Sequence, residues 1–105
     1  MSTNAQPLAA DTWIVQTSGH LASDMNGEKV LLSIGSGNYY NLGRVGGRIW
    51  ELAGQPVSIG KIEAVLLGEY DVEASACRSE LLAFVELMRR ESLVRVGGAA
   101  GEPIA

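Results

Sequence analysis

The dipeptide Asn26-Gly27 separates two segments of alternating apolar and polar residues, and it is the strongest local constraint on the fold. A two-residue type I′ turn needs positive φ at both central positions, which asparagine and glycine tolerate better than other residues. The resulting hairpin register places Asp24 opposite Lys29 as a cross-strand charge pair. The same register puts four apolar side chains on one face, which we expect the helices to cover: Leu21, Val30, Leu32 and Ile34.

A further turn leads to a third strand, Tyr39 to Leu42, and three helical segments follow. The first carries Trp50 on its apolar face, Ser58 is the expected N-cap of the second, and the third runs to about Ser92. This order predicts an α+β domain of winged helix-turn-helix type, in which an N-terminal three-stranded antiparallel sheet precedes three helices.

The ends of the chain lack apolar periodicity. We therefore expect residues 1–12 to be a disordered lead-in, residues 13–96 to form the domain, and residues 97–105 to be a flexible tail. The short apolar run Trp13-Ile14-Val15 suits either a first strand or a cover over one end of the core. Leu93 to Val96 closes the domain as a strand or an extended segment.

Composition argues against several classes of function. The single cysteine, Cys77, cannot form an intramolecular disulfide, and a single histidine, His20, leaves a zinc site short of ligands. We predict no metal and no cofactor. Neither a secretory signal nor a membrane span is evident, so a cytoplasmic location is expected. The net charge is −4 and the eight Lys and Arg residues are scattered, which disfavours nucleic acid as a partner.

The third predicted helix carries more apolar surface than one core stripe requires. Its expected buried face consists of Cys77, Leu81, Phe84 and Met88. A second stripe beside that face is apolar in the middle and basic at both ends: Arg78, Leu82, Val85 and Arg89. Two interpretations stay open, because this stripe suits a binding surface or a wider core contact.

The third strand supplies the other half of a possible binding site. It is the last strand of the predicted sheet, and it has no lysine, proline or inward charge to protect its edge. An unprotected edge accepts an extended peptide through main-chain hydrogen bonds, while neighbouring pockets select side chains. If the third helix packs beside this edge, the two elements form the walls of one groove.

An ordered set of short motifs resembles the PqqD-like peptide-recognition domains, also called RiPP recognition elements. The set comprises Asp24-Met25-Asn26-Gly27-Glu28, Val30-Leu31-Leu32, Tyr39-Tyr40-Asn41-Leu42, Gly46, Ile49-Trp50, Glu69-Tyr70-Asp71-Val72, Cys77 and Leu93-Val94. The resemblance covers roughly residues 20–96 and is greatest to the stand-alone B1 proteins of lasso-peptide clusters. Members that serve pyrroloquinoline-quinone synthesis tend to carry Pro-Glu and Cys-Asp-Gly where this chain has Ile34-Gly35-Ser36 and Leu52-Ala53-Gly54.

The resemblance implies a non-catalytic protein that binds the leader segment of a ribosomally made precursor peptide. In such proteins the leader adds as an antiparallel strand to the third strand and packs against the third helix. Carried over by position, the strand contacts are Tyr39, Tyr40, Asn41 and Leu42, and the helical contacts are Arg78, Leu82, Val85 and Arg89. The implied partner enzyme is a leader-cleaving cysteine protease of B2 type.

Two other functions fit parts of the pattern. The helix order suits a winged-helix DNA-binding regulator, although Glu80, Glu86 and Glu91 oppose phosphate binding by the third helix. A PqqD-type chaperone would present its precursor to a radical SAM enzyme instead. An enzyme is disfavoured because Cys77 lies on the expected buried face, where cysteine behaves as a small apolar residue.

Overall fold

The computed structural model describes residues 8–98. The elements along this part of the chain are β1 (Trp13–Gln16), β2 (His20–Met25), β3 (Glu28–Ser33), β4 (Tyr39–Leu42), α1 (Gly43–Leu52), β5 (Val57–Ser58), α2 (Ile59–Glu69), α3 (Ala74–Arg90) and β6 (Val94–Gly97). They confirm the α+β class and the three-stranded sheet that precedes three helices.

The hairpin of β2 and β3 has the predicted register. Asn26 and Gly27 have φ values of 56° and 82°, as a type I′ turn requires. Asp24 lies opposite Lys29, and the Lys29 Nζ is 2.9 Å from an oxygen of Asp24. β4 then pairs with β3, so that the order in this sheet is β2-β3-β4.

The prediction of which face of this sheet is buried is wrong, because the structure buries the opposite face. Leu31 is fully buried on the side of the helices, whereas Leu21 and Ile34 on the opposite side are 56% and 60% exposed. Val30, Leu31 and Leu32 are all apolar, so alternation alone offered a usable core residue on either face. Packing decides between them: α1 approaches β3 so closely that a Cβ on Gly47 would lie 2.6 Å from the Cβ of Lys29.

A second antiparallel sheet, of order β5-β1-β6, joins the two ends of the described chain. Trp13 lies opposite Gly97, and Ile14 between the two neighbouring strands is fully buried. The expectation of a strand near Trp13 is therefore confirmed, and its main partner is the closing segment of the domain.

The predicted lead-in includes residues that the structure holds in place. Leu8 packs against the core and Thr12 is buried. The carbonyl oxygens of Ala10 and Thr12 accept hydrogen bonds from the N–H groups of residues 60 and 59, at 2.8 and 2.9 Å. The prediction of disorder is wrong for residues 8–12, because these contacts cap the start of α2. Residues 1–7 and 99–105 lie outside the described part of the chain.

The three helices supply most of the core. Trp50 of α1 is buried as predicted, and the Ser58 hydroxyl caps α2 by accepting a hydrogen bond from the N–H of Lys61 at 3.1 Å. The buried side chains of α2 and α3 are Ile59, Ile62, Leu66, Cys77, Leu81, Val85 and Met88. Between residues 8 and 98, no helix has the length and apolar character needed to cross a membrane.

Val85 is fully buried, so the prediction that it lies on an exposed stripe is wrong. Leu82 is partly buried against the core, and Arg78 is bonded to Glu63 of α2. The stripe that contains these residues is the side on which α3 packs against its neighbours. The sequence left two interpretations open, a binding surface or a wider core contact. The burial of Val85 and Leu82 supports the wider core contact.

Replacing Val85 by aspartate should therefore destabilise the fold of the domain, because the side chain is buried. An unpaired carboxylate in the core should lower the free energy of unfolding by at least about 3 kcal/mol. Thermal denaturation followed by circular dichroism would measure the loss. Ala83→Asp places the same carboxylate at an exposed position of the same helix and is the matched control. Equal melting temperatures for the two variants would contradict the burial of Val85.

Candidate functional site

The outer edge of β4 is unpaired within residues 8–98, because β4 ends its sheet. The Ser33 N–H donates to the Asn38 carbonyl oxygen at 2.9 Å, and residue pairs in an antiparallel ladder alternate between bonded and non-bonded. Tyr40 therefore directs its main-chain groups at Leu31, whereas Tyr39 and Asn41 direct theirs outward. These two residues offer N–H donors and C=O acceptors to an additional strand.

Helix α3 lies beside β4 and forms the second wall of a groove. The Tyr40 hydroxyl donates to a Glu91 carboxylate oxygen at 3.0 Å, just after the end of the helix. Further along, a Cβ on Gly46 would lie 2.7 Å from the Cζ of Phe84. As the chain advances from Tyr40 in β4 to Gly46 in α1, its contact with the α3 region moves from Glu91 back to Phe84.

The flank of α3 that faces this groove differs from the predicted one. Glu91 contacts Tyr40 of β4, and Phe84 lies against Gly46 of α1. Residues at helical spacing share their flank: Glu80, Phe84, Leu87 and Glu91. Leu87 is 46% exposed, which is high for a leucine. The spacing was visible in the sequence, but the two glutamates made this flank resemble an ordinary solvated face.

The structure brings only half of the predicted site residues to the groove. Tyr39 to Leu42 form its strand wall. On the helix, Arg78 turns to α2, where its Nη2 is 2.7 Å from Glu63, and Val85 is buried. Leu82 shares the flank of Arg78, and so does Arg89, which is 2.7 Å from Glu86 of the same helix.

A cavity of about 200 Å³ opens between α1, the end of α2 and the start of α3, and it shares Phe84 and Glu80 with the exposed flank of α3. Its lining is mostly apolar and includes Val45, Ile49, Leu66, Val72, Leu81 and Phe84, together with Cys77 and Glu80. One water molecule occupies roughly 30 Å³ of liquid, so the cavity has room for a large apolar side chain. It is a suitable place for an anchoring residue of a bound peptide.

Burial and ion pairing shift the pKa values of two groups near the groove. Burial, with the nearby carboxylates of Glu63 and Glu80, raises the pKa of the Cys77 thiol, which keeps it protonated and a poor nucleophile. Arg48 holds both oxygens of Glu69 at 2.9 and 2.8 Å and lowers the pKa of that carboxyl group. In residues 8–98 no three His, Cys, Asp or Glu side chains are close enough together to hold a metal ion.

The fold and the groove define a winged-helix-like domain whose open edge strand lies beside its last helix. The chain belongs to the PqqD family: the model described as coenzyme PQQ synthesis protein D matches residues 28–94, more than half of the sequence. The solved structure of TbiB1 in complex with the TbiA(beta) leader peptide is similar, with 26% sequence identity and a TM-score of 0.67. The match covers 76% of this chain and 93% of that one. No curated protein matches the chain.

The burial of Cys77 gives a chemical test of the cavity. Alkylation by iodoacetamide should be at least about tenfold slower for the native protein than for the protein in denaturant, because the thiol is both shielded and protonated. Mass spectrometry at timed intervals would follow the reaction. Equal rates in the two conditions would show an accessible, reactive thiol and would contradict the structure.

Proposed function

We propose that this protein binds the leader segment of a ribosomally synthesised precursor peptide and delivers it to a leader-cleaving cysteine protease of B2 type. The observation that carries this proposal is the open edge of β4 beside the exposed flank of α3. The protein has a binding role and no catalytic one. The encounter takes place in the cytoplasm, where ribosomal precursors are made.

The leader would add as an antiparallel strand to β4. The outward main-chain groups of Tyr39 and Asn41 support this arrangement, because they match the hydrogen-bonding pattern of an incoming strand. Alternate side chains of the leader would then point into the groove, toward Phe84 and Leu87. The strand gives affinity, and the groove gives selection.

The direction of the bound leader follows from the direction of β4. A strand antiparallel to β4 begins beside Leu42 and ends beside Tyr39. Its N-terminal part therefore lies near the apolar cavity, where one large side chain can be anchored. Its C-terminal part, which continues into the product sequence, leaves past Tyr39 and the turn at residues 35–38.

The comparisons support the same function. TbiB1, the similar solved structure, is described in complex with a leader peptide, and the family model is that of a protein for coenzyme PQQ synthesis. We favour a lasso-peptide pathway because the sequence departs from the PQQ members at Ile34-Gly35-Ser36 and Leu52-Ala53-Gly54. Presentation of a precursor to a radical SAM enzyme is the alternative within this family.

DNA binding receives less support from the structure. Arg48, Arg78 and Arg89 each contact a carboxylate of this chain. The exposed flank of α3 carries Glu80 and Glu91, which would repel phosphate. A groove of this character suits a peptide better than a nucleic acid.

Leu87→Asp should weaken leader binding about tenfold or more, because it introduces a charge into an apolar contact of the groove. Leu67→Asp is the matched control, since Leu67 is a similarly exposed leucine on α2. Fluorescence anisotropy with a labelled leader peptide, taken from the precursor encoded beside this gene, would measure the affinities. A DNA duplex of random sequence would serve as the control ligand.

The expected result is saturable binding to the leader alone, with Leu67→Asp close to wild type. Binding to DNA alone, or to neither ligand, would contradict the proposal. Equal losses of affinity in both leucine variants would show that Leu87 does not line the binding groove. Melting temperatures of the two variants should stay near that of wild type, because both side chains are exposed in the free protein.

A further inference from the structure

Glu80 lies at the rim of the apolar cavity between α1, α2 and α3. It belongs to the lining of the cavity, and it is exposed to solvent. The other residues of this lining are apolar or glycine, except for the hydroxyl group of Tyr70 and the thiol of Cys77. Glu80 therefore carries the one carboxylate in the part of this lining that the structure describes.

Glu80 also differs from the other glutamates that lie within the helices. Each of these is paired with a lysine or an arginine at 2.7 to 3.5 Å: Glu51, Glu63, Glu69 and Glu86. Within residues 8–98, Glu80 makes neither a hydrogen bond nor an ion pair. Its charge is balanced only by water and dissolved ions while the groove is empty.

A peptide that fills the cavity would change the surroundings of this carboxylate. Glu80 precedes Phe84 by four residues, so the two side chains are neighbours on the flank that the leader would cover. Covering this flank removes water from Glu80, and an ionised carboxylate without a counter-charge is costly to desolvate. A leader that brings a cation to this point would therefore bind more tightly than one that does not.

The electrostatic field of Glu80 reaches into the cavity. Burial raises the pKa of the Cys77 thiol, and the carboxylates of Glu63 and Glu80 raise it further. The charge of Glu63 is balanced by Arg78, whereas that of Glu80 has no such partner among residues 8–98. Apolar walls weaken dielectric screening, so a cation at this rim is attracted more strongly than a cation in open water.

We propose that Glu80 is a specificity-determining residue of the groove, and that it selects leader peptides with a lysine or an arginine close to the residue that fills the cavity. This inference rests on the proposed function and names the chemistry that the leader must carry. The cation belongs to the N-terminal part of the leader, because that part lies near the cavity. Its apolar stem would lie against the lining, where Phe84 offers an aromatic ring, and its charged end would reach Glu80.

The test compares Glu80→Gln with Glu86→Gln in the full chain. Both variants remove one carboxylate from α3, but Glu86 lies on the side of the helix opposite the groove and is paired with Arg89. Fluorescence anisotropy would measure affinity for the labelled leader of the precursor encoded beside this gene, at low and at high salt. Glu80→Gln should bind about fivefold more weakly or worse at low salt, because a charge-assisted contact is lost.

The difference between Glu80→Gln and wild type should shrink at high salt, where ion pairs are screened. Glu86→Gln should bind within about twofold of wild type at both salt concentrations. Both variants should melt near the wild-type temperature, since Glu80 has no bond to lose and Glu86 only an exposed ion pair.

A charge exchange would assign the effect to one residue of the leader. Leader peptides in which each lysine or arginine is replaced in turn by glutamate would be measured against wild type and Glu80→Lys. One of these peptides should bind wild type about fivefold more weakly or worse, and Glu80→Lys should recover at least part of that loss.

Wild-type affinity of Glu80→Gln would overturn the role of Glu80, and so would equal losses in the two glutamine variants. A leader whose lysines and arginines can all be replaced without loss of affinity would overturn it as well. Absence of leader binding by the wild-type protein would overturn the proposed function instead.

Discussion

Two adjacent glycines in α1 determine how closely the sheet and the helices can approach, and the groove depends on that approach. A Cβ at Gly47 would lie 2.6 Å from the Cβ of Lys29, and one at Gly46 would lie 2.7 Å from the Cζ of Phe84. Glycine in a helix interior costs about 1 kcal/mol relative to alanine. That cost is offset by contacts on two sides, because α1 reaches β3 through Gly47 and α3 through Gly46. A larger residue at position 46 would displace the Phe84 ring, and one at position 47 would push α1 away from β3.

The two flanks of α3 have different roles. On one flank Arg78 is bonded to Glu63, and Val85 is buried, so this side attaches the helix to the domain. On the other flank Phe84 and Leu87 line the open groove, and Glu91 at its end holds the Tyr40 hydroxyl. One helix can thus be firmly packed and still present an exposed surface to a peptide. The arrangement explains how a domain of this size can keep a core while leaving one strand edge unpaired.

Local signals in the sequence predicted the hairpin, the third strand, the helix order and the cap at Ser58, because each depends on residues close together in the chain. The choice between the two faces of the sheet was not local. Val30, Leu31 and Leu32 supply apolar side chains to both faces, and only the approach of Gly47 to β3 selects Leu31. The prediction of which flank of α3 faces the groove was wrong for a similar reason. Stripes lie on both sides of its buried face, and the packing of Phe84 against Gly46 of α1 is a contact between distant elements of the chain.

The central claim is that a leader peptide adds as a strand to the open edge of β4. Amide hydrogen exchange measured by NMR, with and without the leader peptide, tests this claim most directly. The account predicts that the amides of Tyr39 and Asn41, which point outward, become strongly protected when the leader binds. The amide of Tyr40, which already points at Leu31, should change little. Saturating leader that leaves Tyr39 and Asn41 exchanging at their free rates would contradict strand addition.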